Sequence, residues 1–346
     1  MQEREVVLEI SGLKTYFPIK TGIFKRTSGF IKAVDGVDLK VFKGETLGIV
    51  GESGCGKTTL CKTIVMLNSA CEGKILWHDD EFGSIQLPTK DKKQLKHIRN
   101  RIQYVFQDPQ SSLNPAFTVF GAMDDALKVN GVKSRKERRQ IVCDLLRSVN
   151  MREDALDLYP HEFSGGQRQR IGIARALCVK PELLICDEAV SALDVSIQAQ
   201  VLHLLCDLKN RLGLTFLFIT HSLSVVEYIS DRIAVMYLGR IVELGDTDDL
   251  FQNMFHPYTQ ALRSAVPVVD DSQRTTRILL SGDVPNPADP PPGCAFHERC
   301  WRCMPECKVE TPKLRSYKVN DKDYYVACHE VHEKLKDKEN ETNGNK

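Results

Sequence analysis

The segment LGIVGESGCGKTTL, Leu47 to Leu60, restricts this chain more than any other feature. Gly51, four further residues and then Gly56-Lys57-Thr58 form a phosphate-binding loop pattern, which needs an apolar strand before it and a helix after it. Both are written in the sequence: TLGIV precedes the loop, and a helical pattern over Lys57 to Leu67 follows. Glycine lets the backbone wrap an anion with its N–H groups turned inward, and the helix N-terminus adds partial positive charge. Gly51, Ser53, Gly54, Cys55, Gly56, Lys57, Thr58 and Thr59 are therefore expected to contact a nucleoside triphosphate. Lys57 would neutralise the β- and γ-phosphates, and the Thr58 hydroxyl would ligate Mg²⁺.

The rest of the chain supplies a frame for such a loop. Residues 5–50 read as strand-rich, with VVLEI, KAVDGVDLKVF and TLGIV separated by turn residues. Residues 72–108 read as strand, then a charged stretch, then the strand-like RIQYVF; residues 115–160 read as helical, with amphipathic spacing in RQIVCDLLRSV. From 164 to 242, GGQRQRIGIARAL, LLICD, IQAQVLHLLCDLKNRL, TFLFIT and RIAVMYLG alternate helix with strand. That alternation implies an α/β fold with a parallel sheet covered by helices.

Two further motifs bear on chemistry. LLICDE, 183–188, is an apolar run ending in two carboxylates. Asp187 at the strand end can hold Mg²⁺, and Glu188 can polarise an attacking water. FSGGQRQR, 163–170, places Ser164, Gly165, Gly166 and Gln167 at the start of a helical segment, a second anion-binding helix start.

Taken together these residues resemble the ATP-binding subunits of ABC transporters, whose LSGGQ signature stands here as FSGGQ; the resemblance covers roughly residues 5–330. It implies a P-loop NTPase core of ABC type over 5–265, with an N-terminal antiparallel β subdomain and a helical subdomain at about 110–165. It also assigns roles. Gln107 in YVFQDPQ matches the Q-loop glutamine, Asp194 in Ser191-Ala192-Leu193-Asp194 the D-loop, and His221 after TFLFIT the switch histidine. Phe17 in KTYFPI matches the ring stacked on adenine, with its neighbour Tyr16 as the alternative. Ala189 departs from the proline usual after the catalytic Glu. In this family two subunits sandwich two ATPs head to tail. Glu188 would then be the general base, His221 and Gln107 would act at the γ-phosphate and Mg²⁺, and Ser164 to Gln167 and Asp194 would face the partner's nucleotide.

KAVDGVDLKVFKGETLGIVGESGCGKTTL, QDPQSSLNP and HPYTQAL resemble the dipeptide/oligopeptide branch, and FPIKTGIFKRTSGFIKAVDGV its F-type subunit. The resemblance implies a related D-type subunit as heterodimer partner, two permease subunits and, indirectly, an extracytoplasmic solute-binding protein. Transport of nickel or another solute, and a non-transport ABC ATPase, are the alternatives.

The charge balance, 47 Lys and Arg against 46 Asp and Glu, argues against a nucleic-acid binder. With no long apolar run and a charged N-terminus, the chain is expected to be intracellular and peripheral to the cytoplasmic face of the membrane. Of the 12 cysteines, those from Cys55 to Cys206 read as small buried hydrophobes. A Pro-rich linker region, 266–293, leads to a Cys-rich module, 294–330, and a polar tail, 331–346. Clustered cysteines in a reducing compartment suggest a metal. The resemblance implies Cys294, Cys300, Cys307 and Cys328 as ligands of a [4Fe–4S] cluster. Cys303, His297 and His329 nearby keep Zn²⁺ open as the alternative, with no metal at all the third.

Overall fold

The computed structural model describes residues 4–22, 26–108, 113–266 and 277–334. The chain divides into two compact units: Met1–Leu8, Val41–Thr46 and Leu76–Thr220 form the first, and Glu9–Lys40, Leu47–Ile75 and His221–Lys346 the second.

In the first unit three strands lie parallel: β6 (Ile102–Val105) beside β7 (Leu183–Asp187), and β7 beside β8 (Thr215–Thr220). The register sets Ile102 against Leu183 and Leu183 against Thr215. Every residue of β7 and β8 is buried, which explains why they read as continuous apolar runs instead of alternating ones. Helices α2 (Lys92–Arg101), α3 (Val119–Val129), α4 (Arg135–Ser148), α5 (Gly165–Leu177) and α6 (Val195–Leu212) belong to the same unit. Helix α2 forms from the stretch that sequence showed only as charged. Asp91 starts it by accepting hydrogen bonds from the N–H groups of Lys93 and Gln94, and Arg99 and Arg101 end it on the favourable side of the helix dipole. Thr118 and Ser134 cap α3 and α4 in the same way. Arg138 on α4 joins the two helices by pairing with Asp124 while donating to the carbonyls of Val132 and Lys133. Gly213, at φ 64°, terminates α6 in the left-handed conformation that glycine adopts without strain.

In the second unit β1 (Val6–Thr21, begun in the first unit) neighbours β2 (Arg26–Phe42). β3 (Thr46–Val50) runs parallel to β9 (Arg232–Tyr237), pairing Leu47 with Arg232 and Val50 with Val235. β10 (Arg240–Asp246) continues antiparallel from β9, and β12 (Lys322–Val326) from β10. β11 (Arg315–Val319) pairs with β12 across the two-residue turn Asn320-Asp321. Both turn residues have positive φ, 48° and 62°, the geometry of a type I′ hairpin turn. Val50, Ile233, Val235, Tyr237, Leu250, Tyr258, Phe296 and Tyr324 form one buried cluster, so residues of the C-terminal segment share the core that backs β3. Strand β4 (Glu72–Asp79) begins in this unit and ends in the first, to which β5 (Gly83–Leu87) belongs.

Of the seven cysteines from Cys55 to Cys206, four are buried and two half-buried, whereas Cys71 is exposed. Its sulfur accepts the Tyr16 N–H at 3.1 Å. Among the described residues no helix is long and apolar enough to cross a membrane.

Candidate functional site: a phosphate loop and a carboxylate-bearing strand end

The phosphate loop leaves β3 at Gly51 and enters α1 (Lys57–Ile64) after Gly56. A Cβ on Gly51 would stand 2.1 Å from the Met236 carbonyl oxygen. On Gly56, whose φ is 107°, it would stand 2.0 Å from the carbonyl oxygen of Ala33. Glycine is thus demanded at Gly56 twice, by backbone conformation and by space. The Lys57 side chain is buried and curls back over its own loop, donating from Nζ to the carbonyls of Gly51 (2.7 Å) and Glu52 (2.9 Å). Cys55 is buried beneath it, and desolvation raises the thiol pKa against the pull of the Lys57 ammonium. Ser53 and Gly54 are exposed at the tip, and Thr58 and Thr59 are half-buried on the first turn of α1.

The loop is also held from the C-terminal side of the same unit. The Glu52 N–H donates to the Tyr258 hydroxyl at 2.8 Å, from helix α9 (Pro257–Ser264). The Glu52 carboxylate accepts both terminal nitrogens of Arg299, at 2.8 and 3.2 Å. Sequence reading singled out neither Tyr258 nor Arg299; a pair 247 residues apart leaves no local pattern to find.

In the first unit, Asp187 ends β7, buried, and accepts the Tyr104 hydroxyl of β6 at 2.6 Å. Tyr104 is a further residue that sequence did not mark. Glu188 follows at φ 46°, a left-handed conformation unusual for a side chain other than glycine, secured by its N–H donating to the Ile219 carbonyl. The strained turn lifts the Glu188 carboxylate out of the buried strand, where it accepts the Gln107 amide at 2.9 Å. Gln107 and Glu188 are thereby brought together from 81 residues apart. Ala189, where proline is usual, is buried at 2% exposure. Ser164 caps α5 in a reciprocal box: its hydroxyl accepts the Gln167 N–H, and the Gln167 side chain accepts the Ser164 N–H at 2.9 Å. A Cβ on Gly166 would come within 2.5 Å of Ile197, so this glycine is a packing requirement against α6, whereas Gly165 has ordinary room. Asp194 is exposed at the N-cap of α6.

His221 is exposed in the second unit, one residue beyond β8. On β1, the Tyr16 hydroxyl is taken by Asp35 at 2.5 Å, and Asp35 is also paired with Arg240 at 2.7 Å; Phe17 is 38% exposed. Part of the QDPQSSLNP motif, 109–112, lies outside the described residues, as do 267–276 of the Pro-rich linker region and 335–346 of the polar tail.

The metal centre expected at Cys294, Cys300, Cys307 and Cys328, iron–sulfur or zinc, is corrected. Among the described residues no group of three or more His, Cys, Asp or Glu side chains is arranged to hold a metal ion. Burial raises the thiols of Cys294, Cys300, Cys307 and Cys328 above the usual range, to about 12 at Cys294 and about 11 at Cys328. The neighbouring donors are turned to backbone groups: His297 to the Cys294 carbonyl, His329 to the Glu310 carbonyl, and the Cys303 thiol to the Met304 carbonyl.

Comparison with known proteins agrees with the motif order. Residues 34–191 match the family described as ABC transporter, and residues 242–307 the oligopeptide/dipeptide transporter C-terminal region. The oligopeptide transport ATP-binding protein AppF of Bacillus subtilis is 48% identical over 328 residues, covering 94% of this chain and 98% of its own length. The oligopeptide transport ATP-binding protein OppF of Salmonella typhimurium is 48% identical over 319 residues, covering 91% and 94%. Among solved structures, an ATP-binding cassette seen as a dimer in a post-hydrolysis state, bound to ADP and Pi, superposes with a TM-score of 0.59 at 28% identity, covering 69% of this chain and 98% of that chain. A phosphate loop, an Asp-Glu strand end and an SGGQ helix start on an ABC cassette fold, continued by an oligopeptide-transporter C-terminal region, have one reading: this chain belongs to the ATP-binding subunits of the oligopeptide and dipeptide ABC transporters.

Proposed function

We propose that the chain hydrolyses ATP in a head-to-tail dimer, with Glu188 as general base, and so powers peptide import through membrane permease subunits. The observation that carries the assignment of the base is the Gln107 amide on the Glu188 carboxylate, at the end of a strand whose last residue is the buried Asp187. Lys57, Thr58 and the backbone of Gly51 to Gly56 bind the triphosphate, with Ser53, Gly54, Cys55 and Thr59 completing the loop. Phe17 stacks on adenine, supported by its exposure and by the engagement of the Tyr16 hydroxyl with Asp35.

The donors fit Mg²⁺. Thr58 offers a hydroxyl, Asp187 a carboxylate and Gln107 an amide oxygen, all hard oxygen ligands, and Mg²⁺ is commonly held by one or two protein groups plus substrate phosphates. When bound, the ion would neutralise charge on the phosphate oxygens. Glu188 takes the proton of the attacking water at a carboxylate oxygen, and Gln107 orients that carboxylate. His221 steadies the γ-phosphate. Ser164 to Gln167 and Asp194 act across the dimer on the partner's nucleotide.

A related D-type subunit is the proposed partner, the helical region at about 110–165 docks the permease, and the chain works at the cytoplasmic face. The proposed organisation keeps the nucleotide-binding domain at 5–265, the linker region at 266–293, a small C-terminal module at 294–330 and a tail at 331–346. The relatives' names favour peptides over nickel as the cargo. In the test, Glu188→Gln lowers ATP turnover by about 10²-fold or more while Mg·ATP binding is kept. With its partner present, the variant should elute as an ATP-stabilised dimer in size-exclusion chromatography. Wild-type turnover in Glu188→Gln would remove Glu188 from the role of base.

A further inference from the structure

The contacts on Glu52 lie outside the motif chemistry. Glu52 fills a variable position of the phosphate loop, yet both its backbone N–H and its carboxylate are held by the C-terminal part of the second unit. Arg299 meets the carboxylate as a two-pronged fork, with 8% of its side chain exposed against 26% for Glu52. Its Nη1 also donates to the Tyr237 hydroxyl at 3.4 Å. The fork is aimed by packing: Phe296, three residues earlier, is 1% exposed and lies edge-on to Tyr237 and tilted against Tyr258. The segment is closed behind it by the Cys294 N–H on the Cys307 carbonyl at 2.8 Å. An anionic side chain beside a site for a polyanion is unfavourable unless it is neutralised.

We propose that Arg299 is a positioning residue for nucleotide binding: by pairing with Glu52 it cancels a negative charge in the phosphate loop and fixes the loop's path, which makes the C-terminal segment a working part of the nucleotide site. The proposal rests on the reading of Gly51 to Thr58 as the ATP loop. Because the pair is present whatever the state of the phosphates, its loss weakens ground-state and transition-state binding alike. KM therefore rises while kcat is little changed.

The test is a double-mutant cycle on the full chain, read by titration with a fluorescent ATP analogue plus Mg²⁺ and by ATPase kinetics. Arg299→Ala should raise Kd and KM about tenfold, the scale of losing a charge-assisted pair and baring its partner. Glu52→Gln should raise them about twofold, and adding Arg299→Ala to Glu52→Gln should cost little more. The Arg299→Ala penalty should also shrink as salt screens the bared carboxylate. Arg299→Lys, which keeps the charge but not the fork, should fall between, and it serves if the alanine variant fails to fold by circular dichroism. Wild-type affinity in Arg299→Ala overturns the proposal. So does a penalty that persists undiminished on the Glu52→Gln background, which would make Arg299 a structural staple only. A wild-type chain that fails to bind the analogue would count against the ATP loop itself, a result distinct from either.

Discussion

At Gly56 one residue joins backbone geometry to ligand chemistry. With φ at 107° and a carbonyl oxygen 2.0 Å from the place of a Cβ, alanine would force the loop away from Ala33. Gly56→Ala is expected to abolish measurable Mg·ATP binding and to destabilise the fold by about 2 kcal/mol or more, read as a lower thermal midpoint. A variant that still bound ATP normally would show that the loop relaxes without consequence. Tyr104 offers a milder case. Tyr104→Phe takes the hydroxyl from the buried Asp187 carboxylate and leaves an acceptor under-satisfied, so a loss of about 1–3 kcal/mol is expected in denaturant unfolding. An unchanged unfolding midpoint would mean that Asp187 is fully satisfied by its other contacts. Neither residue looks alike in sequence: the glycine belongs to a fixed pattern, whereas the tyrosine is one more aromatic on a strand.

Among the elements, the β11–β12 hairpin shows local chemistry bent by context. Asn320 and Asp321 both hold positive φ, and at the second position glycine is the residue a type I′ turn favours. Asp321→Gly should therefore stabilise the protein by a few tenths to about 1 kcal/mol, provided the aspartate makes no compensating contact. A fall in the thermal midpoint would show that it does. The neighbouring strand is less forgiving, since a Cβ on Gly245 of β10 would meet the Tyr324 ring at 2.7 Å. Helix α2 makes the complementary point. Its sequence is too polar to announce a packed face, with Ile98 its single fully buried residue, and its start is set by the Asp91 cap.

On the scale of the whole molecule, the buried pair of Glu243 and His256 should shape stability against pH. Burial pushes Glu243 up to about 7, although the Tyr324 hydroxyl and the N–H groups of Phe255 and His256 favour its charged form. Burial also holds His256 down to about 3. The folded state therefore binds a proton at Glu243 that the unfolded chain has already released, so that contribution to stability is lost as pH rises from about 4.5 to about 7. The histidine acts oppositely: its contribution is present above about 6.5 and is lost as pH falls toward about 3. Glu243→Gln, which imitates the protonated acid, removes the first term and leaves the second. The midpoint difference, variant minus wild type, should increase from about pH 5 to about pH 7 in thermal melts and then level off; a constant difference would show that Glu243 does not titrate in that window.

How much of the protein could be read from its sequence follows from the range of the forces involved. The phosphate loop, the Asp187-Glu188 strand end, the SGGQ helix start and the alternation of strand with helix are local patterns, because backbone conformation and helix capping act over a few residues. Pattern alone misjudged the C-terminal cysteines. Spacing brings thiols close in sequence, but only packing decides whether they converge as ligands, and among the described residues no such group is arranged to hold a metal ion. The partners of Glu52 and Asp187 were likewise hidden: Arg299 and Tyr104 reach them across 247 and 83 residues, distances over which the chain carries no periodic signal. Gln107 is legible from its motif, but its hydrogen bond to Glu188, 81 residues away, is not. Sequence by itself determined which chemistry this chain carries; tertiary structure alone decided which distant side chains hold that chemistry in place, because such contacts depend on the packing of whole elements and on no local rule.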